Sequence, residues 1–248
     1  MSDIKERWIF MRTEIPENNS GFDYEKILGE FIDMLKEKQS GNLLSVYLSG
    51  SYARGDGGKN SDLDVFCIFG EINAGVLSDV GFCARNNSVS YESVEINSQC
   101  MSLAEFKSDE FNAWSERSVR ALDSVLLYGG DLCGEPDKSD IEAIYKKYIA
   151  EIIMSIRHYI SVDEPKEKLT HGKIKTYILK PLMFALRLEL YCKKDIFPLS
   201  KKELLEACDN DKKFLAEYFY DKEKFDKDIS EKHKGVFEKI HSAVCSML

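Results

Sequence analysis

The stretch Leu48-Ser49-Gly50-Ser51-Tyr52-Ala53-Arg54-Gly55, continued by Asp56-Gly57-Gly58-Lys59-Asn60-Ser61 and closed by Asp62-Leu63-Asp64-Val65-Phe66, decides the fold. Ahead of it, Leu43 to Ser49 reads as a strand, with Leu44, Val46 and Leu48 alternating onto one face. The strand stops at Gly50-Ser51, where glycine lets the backbone turn sharply and come close to a ligand. Ala53-Arg54 reads as the opening of a short helix whose free N–H groups point back at the turn. Such an end attracts phosphate, and the Ser51 hydroxyl adds a donor. Ten residues separate Ser51 from Asp62, enough for the chain to return and begin an adjacent strand. That strand, Asp62 to Phe69, is apolar on both sides after its two acids, as a central strand should be.

Asp62 and Asp64 lie two apart on an extended chain, so both carboxylates project from one face. Two like charges held together in a partly buried place repel each other unless a cation joins them. Magnesium resolves the conflict, since it takes one or two carboxylates and completes its shell with phosphate oxygens. Two ions in such a site clamp the attacking and the leaving oxygen. A third acid is then expected on a neighbouring strand. Ser88 to Ser98 reads as that strand, with Val94 and Ile96 on one face and Ser93, Glu95 and Asn97 on the other. Glu95 has apolar flanks and is the candidate third ligand and general base. Glu92, three residues earlier, would face the opposite way. A mere surface turn does not explain why two acids begin a strand otherwise made of Leu63, Val65, Phe66, Cys67 and Ile68.

Gly-Ser, ten residues, then Asp-x-Asp between apolar residues, then an apolar-flanked acid, resembles the DNA polymerase β-type nucleotidyltransferase superfamily. The fuller string, Gly50-Ser51-x-Ala53-Arg54-Gly55 with Ser61-Asp62-Leu63-Asp64-Val65, makes the resemblance specific. It implies an α+β fold whose N-terminal nucleotidyltransferase domain, a mixed sheet flanked by helices, is followed by an α-helical bundle. It also implies ATP as substrate, use of a pair of magnesium ions, and Asp62, Asp64 and Glu95 as metal and catalytic residues. Gly50, Ser51, Arg54 and Ser61 are the nucleotide-binding candidates of the string.

Working outward, the chain has 248 residues and ordinary globular composition, 44% hydrophobic and 31% charged. Its charge of -9 is uneven. Residues 1–137 carry 24 acids against 12 cations, and residues 138–248 carry 19 against 22. An acidic first half disfavours a long nucleic-acid partner, which needs clustered cations, and suits a small cationic acceptor. The character of the sequence also changes near Pro136. Apolar residues recur at helical spacing from Ile141, a second helical pattern over residues 172–193 is interrupted at Pro181, and two or three helices occupy residues 201–247. The boundary therefore falls at 137/138, with a catalytic domain before it and a helical domain after it. The chain begins with charged residues, lacks any long apolar run, and scatters seven cysteines singly. These features are read as a cytoplasmic protein with reduced thiols and no membrane contact, a monomer or weak dimer.

The helical half extends the resemblance, more weakly, to aminoglycoside adenylyltransferases. Phe184-Ala185-Leu186-Arg187-Leu188, followed by Phe197-Pro198-Leu199-Ser200-Lys201, looks like their second domain. There a helix carries an arginine and a turn carries a lysine about thirteen residues on; here the spacing is fourteen. By that likeness Arg187 and Lys201 would neutralise the β- and γ-phosphates. Trp114 stands where such enzymes set a tryptophan against their drug, and Tyr218 or Tyr220 would stack on the adenine. The implied reaction is transfer of AMP from ATP to a hydroxyl of a small acceptor such as an aminoglycoside, which would confer antibiotic resistance. The alternatives are a transferase acting on RNA or protein, as antitoxin-like relatives do, and a nucleotide-binding module without catalysis.

Overall fold

A computed structural model describes residues 11–91, 94–112, 116–162 and 171–248. The chain divides into two compact units, Met1–Asp137 and Lys138–Leu248. The first is α+β and the second is helical. Among the described residues no helix is long and apolar enough to cross a membrane.

Unit 1 begins with α1 (Tyr24–Lys38), whose N-cap Asp23 accepts a hydrogen bond from the Lys26 backbone. Ile27, Leu28, Phe31, Ile32 and Leu35 form its buried stripe, each contributing about 1.5–3 kcal/mol of burial. β1 (Leu43–Ser49) follows, then the single helical turn α2 (Gly50–Ala53), β2 (Leu63–Phe69) and α3 (Ala74–Ser90). After these come β3 (Ile96–Ser102), α4 (Leu103–Lys107), α5 (Arg117–Asp123) and β4 (Val125–Gly129). The sheet order is β3-β2-β1-β4. β1 runs antiparallel to both β2 and β4, while β2 and β3 are parallel.

The third strand corrects the sequence reading. Strand structure runs over Ile96–Ser102, not Ser88–Ser98, and α3 extends to Ser90. The reason is position: β3 is a sheet edge, so its polar run Asn97-Ser98-Gln99 needs no second apolar face. The alternation itself is as read, with Val94 and Ile96 buried and Glu95 and Asn97 exposed.

The two faces of the sheet differ. Val46, Leu48, Val65, Cys67 and Phe69 pack with α1 and α3 in the main core. Tyr47, Phe66 and Ile68 point the other way and pack with Phe106 of α4. β2 begins at Leu63, so Asp62 stands just ahead of the strand rather than opening it, while Asp64, by alternation, shares the face of Phe66 and Ile68.

Unit 2 opens with α6 (Lys138–Ser161). A helical run from His171 to Lys194 follows, written as α7 (His171–Ile174), a π-turn (Lys175–Leu179) and α8 (Lys180–Lys194). Pro181 does not break this run. Proline has no N–H to offer, and the turn before it widens, so that the Lys180 N–H reaches the Lys175 carbonyl. α9 (Lys201–Ala207), α10 (Lys213–Tyr220) and α11 (Lys222–Cys245), which kinks at Lys232, complete the unit.

A buried ion pair ties α8 to the start of α10, because Lys212 donates to Glu189 and both side chains are under a tenth exposed. Lys193, largely exposed, also reaches Glu189. Lys212→Met would leave Glu189 with only that outer partner, at an expected cost of about 3 kcal/mol. Urea unfolding reads the loss as a lower midpoint. The double variant Glu189→Leu with Lys212→Met should recover most of it, since apolar groups of similar volume replace a desolvated pair.

Candidate active site

The Gly-Ser turn is built against Asp64. Gly50 adopts φ +71, a left-handed conformation that costs other residues energy. A Cβ placed on it would stand 2.2 Å from Asp64 Oδ2 and 3.1 Å from Asp64 Cγ. The glycine therefore serves two purposes: it turns the chain and leaves room for the carboxylate. The helix expected to open at Ala53-Arg54 comes earlier, as α2, and Arg54 is its C-cap.

The loop that returns to β2 is pinned from below. Tyr52 is fully buried and donates to the Gly58 carbonyl (3.1 Å), while the Gly57 N–H donates to Asn18 (2.7 Å). Ser61 Oγ accepts from the Gly58 N–H at 3.2 Å, closing the last turn before Asp62. These contacts explain how a glycine-rich segment delivers Asp62 and Asp64 to a fixed place.

Register then sets the neighbours of the acids. Ser49 of β1 and Asn97 of β3 flank Asp64 on either side. Asn97 donates to Asp64 Oδ1 at 2.9 Å, which fixes one carboxylate oxygen and leaves the other toward Gly50. The Leu63 N–H donates to the Glu95 carbonyl at 2.8 Å, holding Glu95 beside the start of β2. Asp62 stands one residue before β2 and Glu95 one residue before β3, so these two acids lie at the starts of the two parallel strands, and Asp64 is the acid that lies within the sheet.

Among the described residues no three His, Cys, Asp or Glu side chains converge closely enough to hold a metal ion by themselves. The donor set nonetheless fits a hard cation. It offers oxygens only, from Asp64 and from Asp62 just ahead of its strand, beside a turn whose missing Cβ leaves room for the Asp64 carboxylate. The rest of the shell would come from substrate oxygens, as magnesium commonly arranges.

Arg54 spends its guanidinium on Asp123, at 2.8 and 3.2 Å from the two carboxylate oxygens. The pair is largely buried and ties the Gly-Ser turn to the end of α5. Arg12 reinforces the tie by donating to the Ala53 carbonyl (2.6 Å) and the Asp123 carbonyl (2.9 Å). Arg54 makes both contacts to Asp123 through Nη1 and thereby braces the turn.

In unit 2 three of the expected residues come together. Lys201 lies over the Tyr220 ring, 4.7 Å from its centroid, and Tyr220 Oη is 3.5 Å from Arg187. Arg187, however, is only 3% exposed. It donates to the carbonyls of Pro198 (2.9 Å), Leu199 (3.3 Å) and Met183 (3.3 Å). The expectation of a phosphate-facing arginine is corrected here, because this guanidinium clamps the 195–200 connection onto α8. Tyr218 is buried in the core, donating to Asp228 at 2.8 Å. Tyr220, the other tyrosine expected at the adenine, is partly exposed. Trp114 and Glu92 lie outside the described residues.

Sequence reasoning gave no role to Asn97 or Arg120. Asn97 was legible as a polar residue in the Glu95 row, and its amide is what immobilises Asp64. Arg120 of α5 carried no sequence signal. Its guanidinium carbon stands over the Phe66 ring, 3.6 Å from the centroid, and the group donates to Ser49 Oγ (3.3 Å) and Gln99 Oε1 (3.4 Å). It spans β1, β2 and β3 on the acid-bearing face.

With this geometry in view, comparison with known proteins is informative. Residues 28–121 match the family model of the nucleotidyltransferase domain. A chain of Methanocaldococcus jannaschii, provisionally named a protein adenylyltransferase, is 39% identical over 56 residues. That alignment takes in 23% of this chain and 55% of the relative, so the chain spans about half the relative's length. Among solved structures, the spectinomycin adenyltransferase of Enterococcus faecialis, crystallised with ATP and spectinomycin, is similar with a TM-score of 0.52 at 11% identity. The similarity covers 88% of this chain and 99% of that one, and it shows a shared fold.

Proposed function

From the premise that residues 28–121 form a nucleotidyltransferase domain, we propose that the chain transfers AMP from ATP to a hydroxyl of a small, cationic acceptor. The observation that carries this reading is the Gly50 turn, shaped so that its backbone abuts the Asp64 carboxylate. Nothing in folding alone calls for a left-handed glycine pressed against an acid between two central strands. A site that must bring phosphate and a metal-binding carboxylate together does.

The Gly50 and Ser51 backbone and the Ser51 hydroxyl hold the triphosphate tail. Asp62 and Asp64, with Glu95 as third acid, would hold magnesium, which when bound neutralises charge on the phosphate oxygens. Asn97 keeps Asp64 oriented. Glu95 takes the proton of the acceptor hydroxyl as its oxygen bonds to the α-phosphorus. The bond from that phosphorus to the bridging oxygen breaks, and pyrophosphate leaves. Positioning and charge neutralisation supply most of the acceleration.

The acidic balance of residues 1–137 supports a cationic acceptor. The fold shared with the spectinomycin enzyme is consistent with a small one. Transfer to protein is the second reading, favoured by the name of the Methanocaldococcus jannaschii relative. The deciding experiment supplies α-labelled ATP and GTP with magnesium to aminoglycosides, lincosamides, tRNA and total protein. Label on a hydroxylated amine supports the first reading; label on protein selects the second. No label on any acceptor, with no pyrophosphate released, overturns both.

Lys201 is assigned to nucleotide binding. Lys201→Ala should raise the KM for ATP about tenfold, the loss of one exposed phosphate contact worth roughly 1.4 kcal/mol, with a smaller change in kcat. Steady-state kinetics at varied ATP checks the split.

A further inference from the structure

We infer that Arg120 is a positioning residue of the acid face, a resident cation that keeps metal binding weak until nucleotide arrives. The inference rests on the metal-dependent reading above and concerns the order in which that site fills.

Three observations carry it. First, Arg120 is placed by the sheet itself, over Phe66 and between Ser49 and Gln99. Phe66 is two residues beyond Asp64 on β2, and Gln99 is two beyond Asn97 on β3. The guanidinium therefore lies between the Asp64 row and the Phe66 row, within about 7 Å of Asp64 by strand geometry. Second, Ser49, which receives one of its hydrogen bonds, is the register partner of Asp64 and directly precedes Gly50. The same cation thus steadies the turn. Third, the acids are not gathered into a ready three-ligand set among the described residues, and one oxygen of Asp64 is already taken by Asn97.

Together these describe an acid face on which a fixed cation stands beside Asp64. A fixed positive charge about 7 Å away opposes a bare divalent ion, through a medium between water and protein in screening. A metal ion carried on a triphosphate brings its own negative charges, which the same guanidinium attracts. Arg120 thereby disfavours the bare ion and favours the metal–nucleotide complex. A residue with a purely structural role would have no such opposite effects.

The test titrates the full chain with manganese, read by calorimetry and by the loss of free-ion paramagnetic signal, with and without a non-hydrolysable ATP analogue. Arg120→Gln keeps amide contacts for Ser49 and Gln99 but removes the charge. It should bind manganese alone about five- to tenfold more tightly than the unaltered chain, and the metal–analogue complex more weakly. Arg120→Lys, which keeps the charge, should stay near the unaltered values in both titrations. Thermal melting establishes that each variant is folded; should Arg120→Gln not fold, Arg120→Met on its Phe66 platform is read in the same way. Bare-metal affinity that is unchanged or weaker in the folded neutral variant overturns the inference and leaves the proposed function standing. An unaltered chain that takes up no manganese even with the ATP analogue overturns the proposed function itself.

Discussion

Asp64→Asn should reduce nucleotidyl transfer by at least about 1000-fold while leaving the melting temperature nearly unchanged. The two halves of that statement have different causes. Asparagine has the same shape as aspartate, and its remaining oxygen can still accept from the Asn97 amide, a bond of 2.9 Å in the native chain. The turn at Gly50 keeps nearly the same space, because an NH2 group replaces the oxygen that faces it and no heavy atom is added. The structural cost is therefore about one neutral hydrogen bond or less, on the order of 1 kcal/mol. What disappears is the negative charge that a hard cation requires. Losing one of these carboxylates removes several kcal/mol of charge stabilisation in the transition state, and about 4 kcal/mol corresponds to a factor of 1000. The measurement is labelled transfer from ATP to whichever acceptor the native chain uses, with calorimetric melting beside it. Full turnover in this variant would mean that the metal is held elsewhere.

The contrast with Arg187 shows what composition and spacing can and cannot say about such a site. The acids of β2 were legible because a strand apolar on both faces leaves no ordinary reason for Asp62 and Asp64 at its start. β1 and β2 were legible for the same reason: both are central, and their alternation is unbroken. β3 was displaced in the reading because an edge strand carries only half of that signal, and Asn97-Ser98-Gln99 resembles a loop when read by hydropathy. Arg187 was expected to face phosphate from the likeness of Phe184-Ala185-Leu186-Arg187-Leu188 to the second domain of aminoglycoside adenylyltransferases. In the fold it is buried, with backbone carbonyls as its partners. A local string can thus be shared while burial gives its charged residue interior partners, and only the third dimension shows this. Arg120 is the opposite case. Nothing in Arg117-Ser118-Val119-Arg120 sets one arginine apart, yet the register of three strands brings that guanidinium beside the acids. The π-turn at Lys175–Leu179 was likewise out of reach, since sequence shows the proline but not which hydrogen bond gives way.

Gly50→Ala is expected to come close to Asp64→Asn in its loss of activity although it removes no ligand and no charge. The new methyl carbon would lie 2.2 Å from Asp64 Oδ2, far inside contact distance. A flexible side-chain end can usually move aside, but here moving aside is the damage. Asp64 must swing its carboxylate away from the turn, which breaks the 2.9 Å bond from Asn97 and takes the acid out of its row. The backbone gives no second escape, because alanine at φ +71 already costs roughly 1–2 kcal/mol in the left-handed region. With the partial clash at Asp64 Cγ and Cβ, a stability loss of about 2–4 kcal/mol is expected, readable as a lower urea midpoint. Transfer should fall by about 100- to 1000-fold, since a catalytic group displaced by an ångström loses most of its effect. A double-mutant cycle separates this account from general destabilisation. If Gly50 acts through Asp64, adding Gly50→Ala to Asp64→Asn costs little further activity, and the two effects are strongly non-additive. If the effects multiply in full, the turn serves the triphosphate independently of the acid, and the coupling between Gly50 and Asp64 is not what the site depends on.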